Sequence, residues 1–342
     1  MYWERRRLAG QCDMMRPKII AGQRPALPVS WYYITGMSEQ PHRIFVIDRK
    51  TGQHVEENVL GGALVRLAYC SPFSPLARLL LFRNGLFSRM LGWYADSAFS
   101  RRRIAPTIKQ LGIEMSDFVV PPEGYRSFNE FFMRPLRPGA RLFDPAPDAV
   151  VSPADSRLLV YETLRNSTCF PVKGVPFTVG ALLGRAPSGT DWAAKFDGGV
   201  LMIARLCPAD YHRFHFPCGG RVVETWPIRG HYESVNPLPL AHGAEPFAKN
   251  KREVTIIESE QLGTVAYIEV GAFGVGRIIQ TYAEPLVAKM DEKGCFEFGG
   301  STVVLVFQPG RITPSADLAA NSREGTETLI RVGETIGHAM PG

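Results

Sequence analysis

The chain has 342 residues, 45% hydrophobic and 21% charged with a formal net charge of +6, enough for one large domain or two smaller ones. Six cysteines without CxxC spacing exclude a disulfide framework and indicate reduced thiols in a cytosolic protein. No stretch reaches the roughly 18 apolar residues of a membrane-spanning helix. The basic residues at 5–7 lack the apolar run of a secretory signal.

The first 36 residues show no clear period and contain several helix-breaking prolines. We predict that residues 1–36 form a disordered extension or follow an upstream start that the cell does not use. The true start is then either Met1 or Met37. Residues 44–47 are typical of a short strand.

The segment 60–103 carries the charge excess of the chain. Seven arginines against Asp96 alone give it a charge of +6. Apolar residues recur at near-helical spacing between the arginines, with Trp93 and Tyr94 near the end. This composition is typical of a helix on an anionic membrane surface, or equally of an amphipathic helix packed on the protein's own core. We predict that residues 37–133 are mainly helical and membrane-associating.

Two changes in composition mark the domain plan. Five prolines make residues 134–153 a linker. After it, short β-like runs replace the helical period, at 158–161, 200–204, 221–226, 254–258, 265–270 and 302–308. The sequence therefore predicts an α+β protein, with the helical segment followed by a β-rich catalytic domain, residues 154–342, built as a sandwich or a barrel.

Two motifs in the β-rich half contain residue types used in catalysis. Asp155 lies in a turn sequence before a strand, where an aspartate most often serves the turn itself. His212 and His215 follow Asp210 and suggest a metal site, a structural pair or a catalytic base. No cluster of matching ligand spacing accompanies them, so we expect no metal. An aspartate, a histidine and a hydroxyl together favour a base with its orienting residue and nucleophile.

Two loops contain groups that bind anions. Ser234 and Asn236 can donate to a substrate phosphate or carboxylate, and Lys251 can bind an anion. Ordinary turn chemistry explains these residues equally well. Closely spaced glycines at 271–276 lack the following helix of a nucleotide-binding fingerprint, so we expect no dinucleotide site.

Gly299, Gly300, Ser301 and Thr302 precede an apolar run at 303–307 that predicts a buried strand. The glycines permit strained backbone, and the Ser301 hydroxyl is held at the rim of a rigid strand. That arrangement suits attack on the carbonyl of Gly300. A Gly-Gly turn that enters a core strand is the plainer interpretation of this stretch on its own.

Asp155, His215 and Gly300-Ser301, in this order, make the chain resemble the phosphatidylserine decarboxylase family over residues 44–337. Each motif is weak alone, but the ordered set is specific. The shared motifs are Ser127-Phe-Asn-Glu-Phe-Phe132, Ser152-Pro-Ala-Asp155, Val172-Lys-Gly174, Asp210-Tyr-His-Arg-Phe-His215, Ser234-Val-Asn-Pro237, Asn250-Lys-Arg-Glu253, Glu269-Val-Gly271 and Phe298-Gly-Gly-Ser-Thr302. Ser156 departs from the glycine that usually follows the motif aspartate, which would matter if that position required positive φ.

The resemblance implies that His215, oriented by Asp155, takes the proton of Ser301 as Ser301 attacks the Gly300 carbonyl. The chain would then be cut into a β chain, 1–300, and an α chain, 301–342, with Ser301 converted into a pyruvoyl group. This group would form a Schiff base with the substrate amine and accept electrons as carbon dioxide leaves, in place of pyridoxal phosphate. His212 would help to protonate the product.

We therefore predict a carboxy-lyase that converts phosphatidylserine to phosphatidylethanolamine, bound peripherally to the cytoplasmic side of the cell membrane. Its α and β subunits would remain together and could pair as a dimer, with no nucleic-acid partner. Two alternatives stay open at this point. One is a Ser/His/Asp ester hydrolase, and the other is a non-catalytic lipid-binding β module.

Overall fold

The structure is a computed structural model that describes residues 44–57, 86–164, 170–172, 175–233, 246–272, 277–299 and 301–341. The predicted extension, 1–36, and most of the predicted basic helix lie outside these ranges. So do Ser234, Asn236 and Gly300.

Short helices occupy two parts of the described chain. Before the β-rich half lie α1 (Leu86–Asp96), a 3-10 helix (Ala98–Arg103), α2 (Ile104–Leu111) and α3 (Phe128–Phe132); after it begins come α4 (Val179–Leu183), α5 (Trp192–Lys195), α6 (Pro246–Lys249) and α7 (Ala316–Arg323). The first turn of helix α3 is capped, because the Ser127 side chain accepts from the Glu130 N–H, and the Glu130 carboxylate accepts from the N–H of Arg126, the residue before the cap. None of the described helices is long and apolar enough to cross a bilayer.

Strands make up most of the described fold. They are β1 (Phe45–Asp48), β2 (His54–Glu56), β3 (Ala149–Val151), β4 (Ser156–Tyr161), β5 (Phe170–Val172), β6 (Val175–Phe177), β7 (Val200–Leu206), β8 (Arg213–His215), β9 (Gly220–Ile228), β10 (Arg252–Ser259), β11 (Gly263–Gly271), β12 (Ile278–Gln280), β13 (Leu286–Val287), β14 (Glu292–Phe296), β15 (Ser301–Phe307), β16 (Ile312–Pro314), β17 (Thr328–Ile330) and β18 (Thr335–Ala339). All seven strands predicted from the sequence, residues 44–47 included, are present, each within two residues of the predicted bounds.

Ten strands form one large sheet in the order β13-β9-β10-β11-β15-β7-β4-β17-β1-β2. Its pairs are antiparallel except for β1 with β17. Two three-stranded sheets, β12-β14-β8 and β16-β18-β3, accompany it. The large sheet ends at β13 and β2 without closing on itself. The prediction of a β-rich domain is therefore confirmed, whereas a closed barrel is wrong for the part of the chain that is described.

The large sheet is buried on both faces, which explains the continuous apolar run of β15. Side chains alternate along this strand. Val303, Leu305 and Phe307 enter a core shared with the two small sheets, and Val304 and Val306 enter a second core covered by α4, α5 and α6. Ser301 has the parity of the first set, so its side chain points towards the small sheets.

The region before the β-rich half contributes to the same sheet. Strand β1 lies beside β17, near the carboxyl end of the chain. The proline-rich segment 134–153 contains buried Arg134 and ends in buried strand β3. Helices α1, α2, α3 and the 3-10 helix lie in the segment predicted as helical and membrane-associating, but nothing in the structure supports its association with a membrane, and the domain boundaries remain a prediction.

Candidate active site

Ser301 is the first residue of β15 and lies between Gly271 of β11 and Leu206 of β7. It is fully buried. Among the described residues, neither its Oγ nor the Oγ1 of Thr302 finds a hydrogen-bond partner. Buried hydroxyls without partners are rare because their desolvation is not repaid. The start of β15 is therefore a candidate reactive centre.

The register of β11 determines which part of Ser301 faces Gly271. The Gly271 N–H donates to the Lys251 carbonyl at 3.0 Å, and the Gly271 carbonyl accepts from Asn250 Nδ2 at 2.8 Å. Both groups point away from β15, so Ser301 and Gly271 form a non-hydrogen-bonded pair, with α-carbons about 4.5 Å apart. The α-proton of Ser301 thus faces a residue without a side chain. Lys251, predicted to bind an anion, lies at this same end of the sheet.

The turn before Ser301 is held by helix α3. The Phe298 N–H donates to Asn129 Oδ1 at 2.8 Å, and the Phe298 ring packs edge-on against Phe128 and Phe132. Gly299 follows with φ 144°, a conformation that glycine alone adopts readily. The aromatic motif of the sequence therefore directly supports the turn that leads to Ser301.

His212 is buried against the Phe132 ring, with ring centroids 3.8 Å apart. Its Nδ1 donates to the Asp210 carbonyl at 3.0 Å, so the lone pair lies on Nε2, which has no hydrogen-bond partner among the described residues. Burial and the nearby guanidinium groups of Arg134 and Arg157 lower the pKa of His212 to about 3. The ring is therefore neutral at pH 7.

Arg134 shares the carbonyl that orients His212. This fully buried guanidinium donates to the carbonyls of Phe131, Ala209 and Asp210. Burial lowers the pKa of Arg134 to about 10. The Asp210 carbonyl accepts from His212 and so fixes the tautomer of that ring. The nearby positive charge of Arg134 disfavours a second proton on the ring.

His215 has both ring nitrogens occupied. Nδ1 donates to the Met290 carbonyl at 2.9 Å, so Nε2 accepts from the Tyr211 hydroxyl at 3.1 Å. Met290 is the one non-glycine residue of the described chain with positive φ, 70°, a conformation that carries strain. Burial lowers the pKa of His215, and the carboxylates of Glu292 and Asp155 oppose that effect.

Asp155 lies near His215 without a direct hydrogen bond to it. Its Oδ1 accepts from the Val332 N–H at 2.8 Å, and its Oδ2 accepts from Arg141 at 3.2 Å. The backbone N–H of His215 donates to the carbonyl of Pro153, two residues before Asp155. Ser156, which replaces the usual glycine, begins β4 without positive φ, so this replacement causes no backbone strain.

The two histidines lie on different sides of the small sheet that contains β8. Phe214 points into the core beneath Ser301, and alternation directs His215 to the other face. The His212 carbonyl accepts from the Phe296 N–H, next to the turn that leads to Ser301, whereas His215 pairs with Glu292, ~10 Å further along the strand. The structure thus places His212 nearer to the cleavage turn.

A charged cluster lies beside the site at the same strand ends. Arg205, opposite Thr302 in the register, pairs with Glu57 at 2.7 Å and with Glu327 at 2.6 Å. Arg157, opposite Arg205, pairs with Glu57 and Asp210. Burial alone would raise the pKa of Glu57, but the two arginines outweigh it and lower that pKa to about 2.

Sequence reasoning missed several residues that the structure places at this site. They are Asn129, Arg134, Tyr211, Met290 and the buried pair of Lys293 with Glu269, 2.5 Å apart. Asn129 belongs to the motif Ser127–Phe132 and Tyr211 to the motif Asp210–His215, which were signals of importance but not of role, whereas Arg134 lies in the segment predicted as a linker. Within the described ranges, no group of three or more His, Cys, Asp or Glu side chains is arranged to hold a metal ion.

Comparisons with known proteins agree on one family. Its profile, described as "Phosphatidylserine decarboxylase", matches residues 128–338. A "Phosphatidylserine decarboxylase proenzyme" of Ruminiclostridium cellulolyticum is 38% identical over 298 residues, 87% of this chain and 98% of the relative. Proteins of the same name from Chlamydia trachomatis serovar D and Desulfitobacterium hafniense are 40% and 39% identical, each over 85% of this chain and 96% of the relative.

Proposed function

This chain belongs to the phosphatidylserine decarboxylase family, and we propose that it converts phosphatidylserine to phosphatidylethanolamine with a pyruvoyl group made from its own Ser301. One observation carries the proposal. The Ser301 hydroxyl is buried with no hydrogen-bond partner in the described part of the chain, at the start of a central strand and directly after two glycines. The name "proenzyme" of the relatives supports a chain that matures by cleavage.

The residues present fit the formation of this group. Ser301 Oγ attacks the Gly300 carbonyl and gives up its proton, and the peptide bond becomes an ester. Loss of the α-proton, which faces Gly271, expels the Gly300 carboxylate and leaves dehydroalanine. Its enamine form takes up water and releases ammonia, which leaves a ketone at the new amino terminus. Gly271 supports this step because it leaves the α-proton unobstructed by a side chain.

The electrostatic surroundings support different roles for the two histidines. Burial lowers the pKa of both histidines, but Glu292 and Asp155 oppose this effect at His215, whereas Arg134 and Arg157 lower the pKa of His212 further. We assign removal of the Ser301 proton to His215, which must first leave its bond with Tyr211 and turn towards Ser301 from the other face of the small sheet. His212, with its free Nε2 on the Ser301 side, serves proton transfer to the product carbon.

The mature site would act on the amino group of the substrate. A pyruvoyl ketone supplies an electrophile for that amine and accepts the electrons released with carbon dioxide. Lys251 is our candidate for binding the phosphate, since its carbonyl accepts from the register partner of Ser301. Ser234 and Asn236 remain candidates for the same role.

The mature enzyme would also need to reach a lipid. On α1 and the 3-10 helix, Trp93 and Phe99 are 71% and 72% exposed, next to the exposed Arg101, Arg102 and Arg103. Exposed aromatic and basic residues together favour an anionic bilayer surface. We propose that this surface docks the enzyme peripherally on the cytoplasmic side of the cell membrane.

Vesicle co-sedimentation tests the docking surface. Replacement of Arg101, Arg102 and Arg103 by Gln should weaken binding to anionic vesicles at low salt, by roughly 1 kcal/mol per arginine. Trp93→Ser should weaken binding at all salt concentrations. Leu142→Ser is the matched control, because Leu142 is 87% exposed away from these helices. Unchanged binding in all variants would refute the surface.

Intact mass spectrometry with a decarboxylation assay tests the function. The wild type should give residues 301–342 as a separate 42-residue fragment that resists Edman sequencing, since a ketone replaces its amine. Ser301→Ala should remain one inactive chain, and Ser301→Cys should cleave slowly. An uncut wild type that is trapped by a serine-directed acylating reagent would indicate an ester hydrolase instead. Membrane binding without cleavage or turnover would indicate a lipid-binding module.

A further inference from the structure

We infer that Asn129 is a positioning residue for self-cleavage, and that Asp96 at the end of α1 holds it in the required orientation. The inference rests on the proposed cleavage between Gly300 and Ser301. Asn129 is 1% exposed and belongs to α3, yet its side chain makes no bond within that helix among the described contacts. Its two hydrogen bonds reach 33 residues back and 169 residues forward along the chain.

The first of these bonds fixes the backbone of the cleavage turn. Asn129 Oδ1 accepts the Phe298 N–H at 2.8 Å, two residues before Gly300. The Phe298 ring packs at the same time against Phe128 and Phe132, which lie before and after Asn129 along α3. Glycines then follow, and glycines do not restrict the backbone by themselves. Phe298 is therefore the last side-chain anchor before Ser301.

The second bond determines which way the Asn129 amide points. Nδ2 donates to Asp96 Oδ1 at 2.8 Å. Because a carboxylate accepts and never donates when ionised, this contact directs the amide oxygen towards Phe298. Asp96 is also the last residue of α1, where the helix dipole favours a cation over an anion. An unfavourable charge at that position is explained by its contact with Asn129.

Position matters for this reaction because the nucleophile and the electrophile are neighbours in one chain. Ser301 can attack the Gly300 carbonyl only when the turn brings the two atoms to about 3–3.5 Å with the correct alignment. A displacement of 1 Å from a remote substitution can slow such a reaction ~10²-fold. A turn with two glycines has no internal means of holding that geometry, so the bond to Phe298 provides it.

A charge exchange between positions 96 and 129 tests the inference. Cleavage would be followed by pulse-chase synthesis and gel separation of the 301–342 fragment. Asn129→Asp removes the donor and places two carboxylates together, so we expect cleavage at least ~10-fold slower. Asp96→Asn should cleave nearly normally, because Asn129 can still donate to the new amide oxygen. The double variant N129D/D96N should regain cleavage to within about threefold of the wild type, since the amide then donates from position 96.

Two controls separate positioning from folding. Each substitution is repeated with Ser301→Ala, where N129D should still unfold in one cooperative transition above the temperature of the cleavage assay. Asn321, on α7, donates a comparable side-chain hydrogen bond to Thr328 at 3.0 Å. Asn321→Asp removes that bond and should cleave at the wild-type rate. Wild-type cleavage by Asn129→Asp, or no recovery in a folded double variant, would overturn the inference alone. A wild type that never cleaves would overturn the proposed function together with it.

Discussion

Two buried polar regions meet at the ends of β7 and β15, and they differ in how their groups are satisfied. In the cluster around Arg205, each charged side chain contacts an opposite charge, as in its pairs with Glu57 and Glu327. On the adjacent strand β15, the hydroxyls of Ser301 and Thr302 have no hydrogen-bond partner among the described residues. Burial is nearly complete in both regions.

The difference separates polar groups that stabilise the fold from groups kept available for chemistry. Paired charges in a dry interior resist rearrangement, because removal of one partner leaves an uncompensated charge. An unpartnered hydroxyl has already lost its solvation and has no bond to break before it reacts. We therefore expect substitutions in the cluster to affect stability, and substitutions at the site to affect cleavage and turnover.

The largest effect should come from the two site histidines, which sharpen the comparison. His215→Ala should abolish cleavage, because the proposed base is lost. His212→Ala should still cleave but decarboxylate ~10²–10⁴-fold more slowly, the usual range for loss of a positioned proton donor. Gel analysis and carbon dioxide release measure the two steps. His338→Ala, at a surface histidine, should be normal in both, and an exchange of the two phenotypes would contradict the assignments.

Removal of a cluster carboxylate should produce the next largest effect. Glu57→Ala leaves Arg205 and Arg157 without their shared partner and should lower the free energy of unfolding by about 3–5 kcal/mol. Denaturant unfolding in a Ser301→Ala background measures it. Arg323→Ala breaks the exposed pair with Glu162 and should change the free energy of unfolding far less, because solvent screens that pair. Equal losses of unfolding free energy in the two variants would show that the buried charge cluster stabilises the fold no more than an exposed pair does.

Acid should reveal the neutral His212. Its pKa is lowered from 6.5 to about 3 in the folded protein, so its contribution to stability is complete above pH 6.5 and is lost as the pH falls towards 3. The slope is about 1.4 kcal/mol per pH unit in that window. His212→Phe in a Ser301→Ala background should flatten the pH dependence of the unfolding free energy by this amount. A parallel curve would show that His212 does not titrate on unfolding.

The smallest effect concerns the unpartnered hydroxyl of Thr302. Thr302→Val removes it at nearly constant shape and should raise the free energy of unfolding by ~1 kcal/mol in the Ser301→Ala background. Thr255→Val is the matched control, since the equally buried Thr255 hydroxyl accepts from Thr225 at 3.3 Å. That variant should lose stability. The same sign for both variants would show that Thr302 has a partner in solution.

The sequence predicted elements whose signal is local. Strand β15 and the position of Ser301 follow from a Gly-Gly pair before a β-branched apolar run, and the ordered motifs identified the family. The surroundings of His215 were not predictable in this way. Its bonds to the Met290 carbonyl and the Tyr211 hydroxyl depend on strands brought together by the fold, as does the distance of Asp155 from it. Arg134 lay in a segment predicted as a linker, because its contacts with distant carbonyls leave no periodic pattern.

The place of β15 in the large sheet changes what unfolding means for the mature enzyme. Residues 301–342 supply β15 and β17, each of which lies between two strands of the longer fragment in the large sheet, and β16 and β18, which join β3 of the longer fragment in a small sheet. Before cleavage, the chain folds in a first-order process. After the proposed cleavage, the same native contacts would require two separate polypeptides to meet, so refolding would become second order and would slow with dilution. The uncut chain would then be the form that can fold repeatedly, and the cut enzyme would depend on its barrier to unfolding for its lifetime.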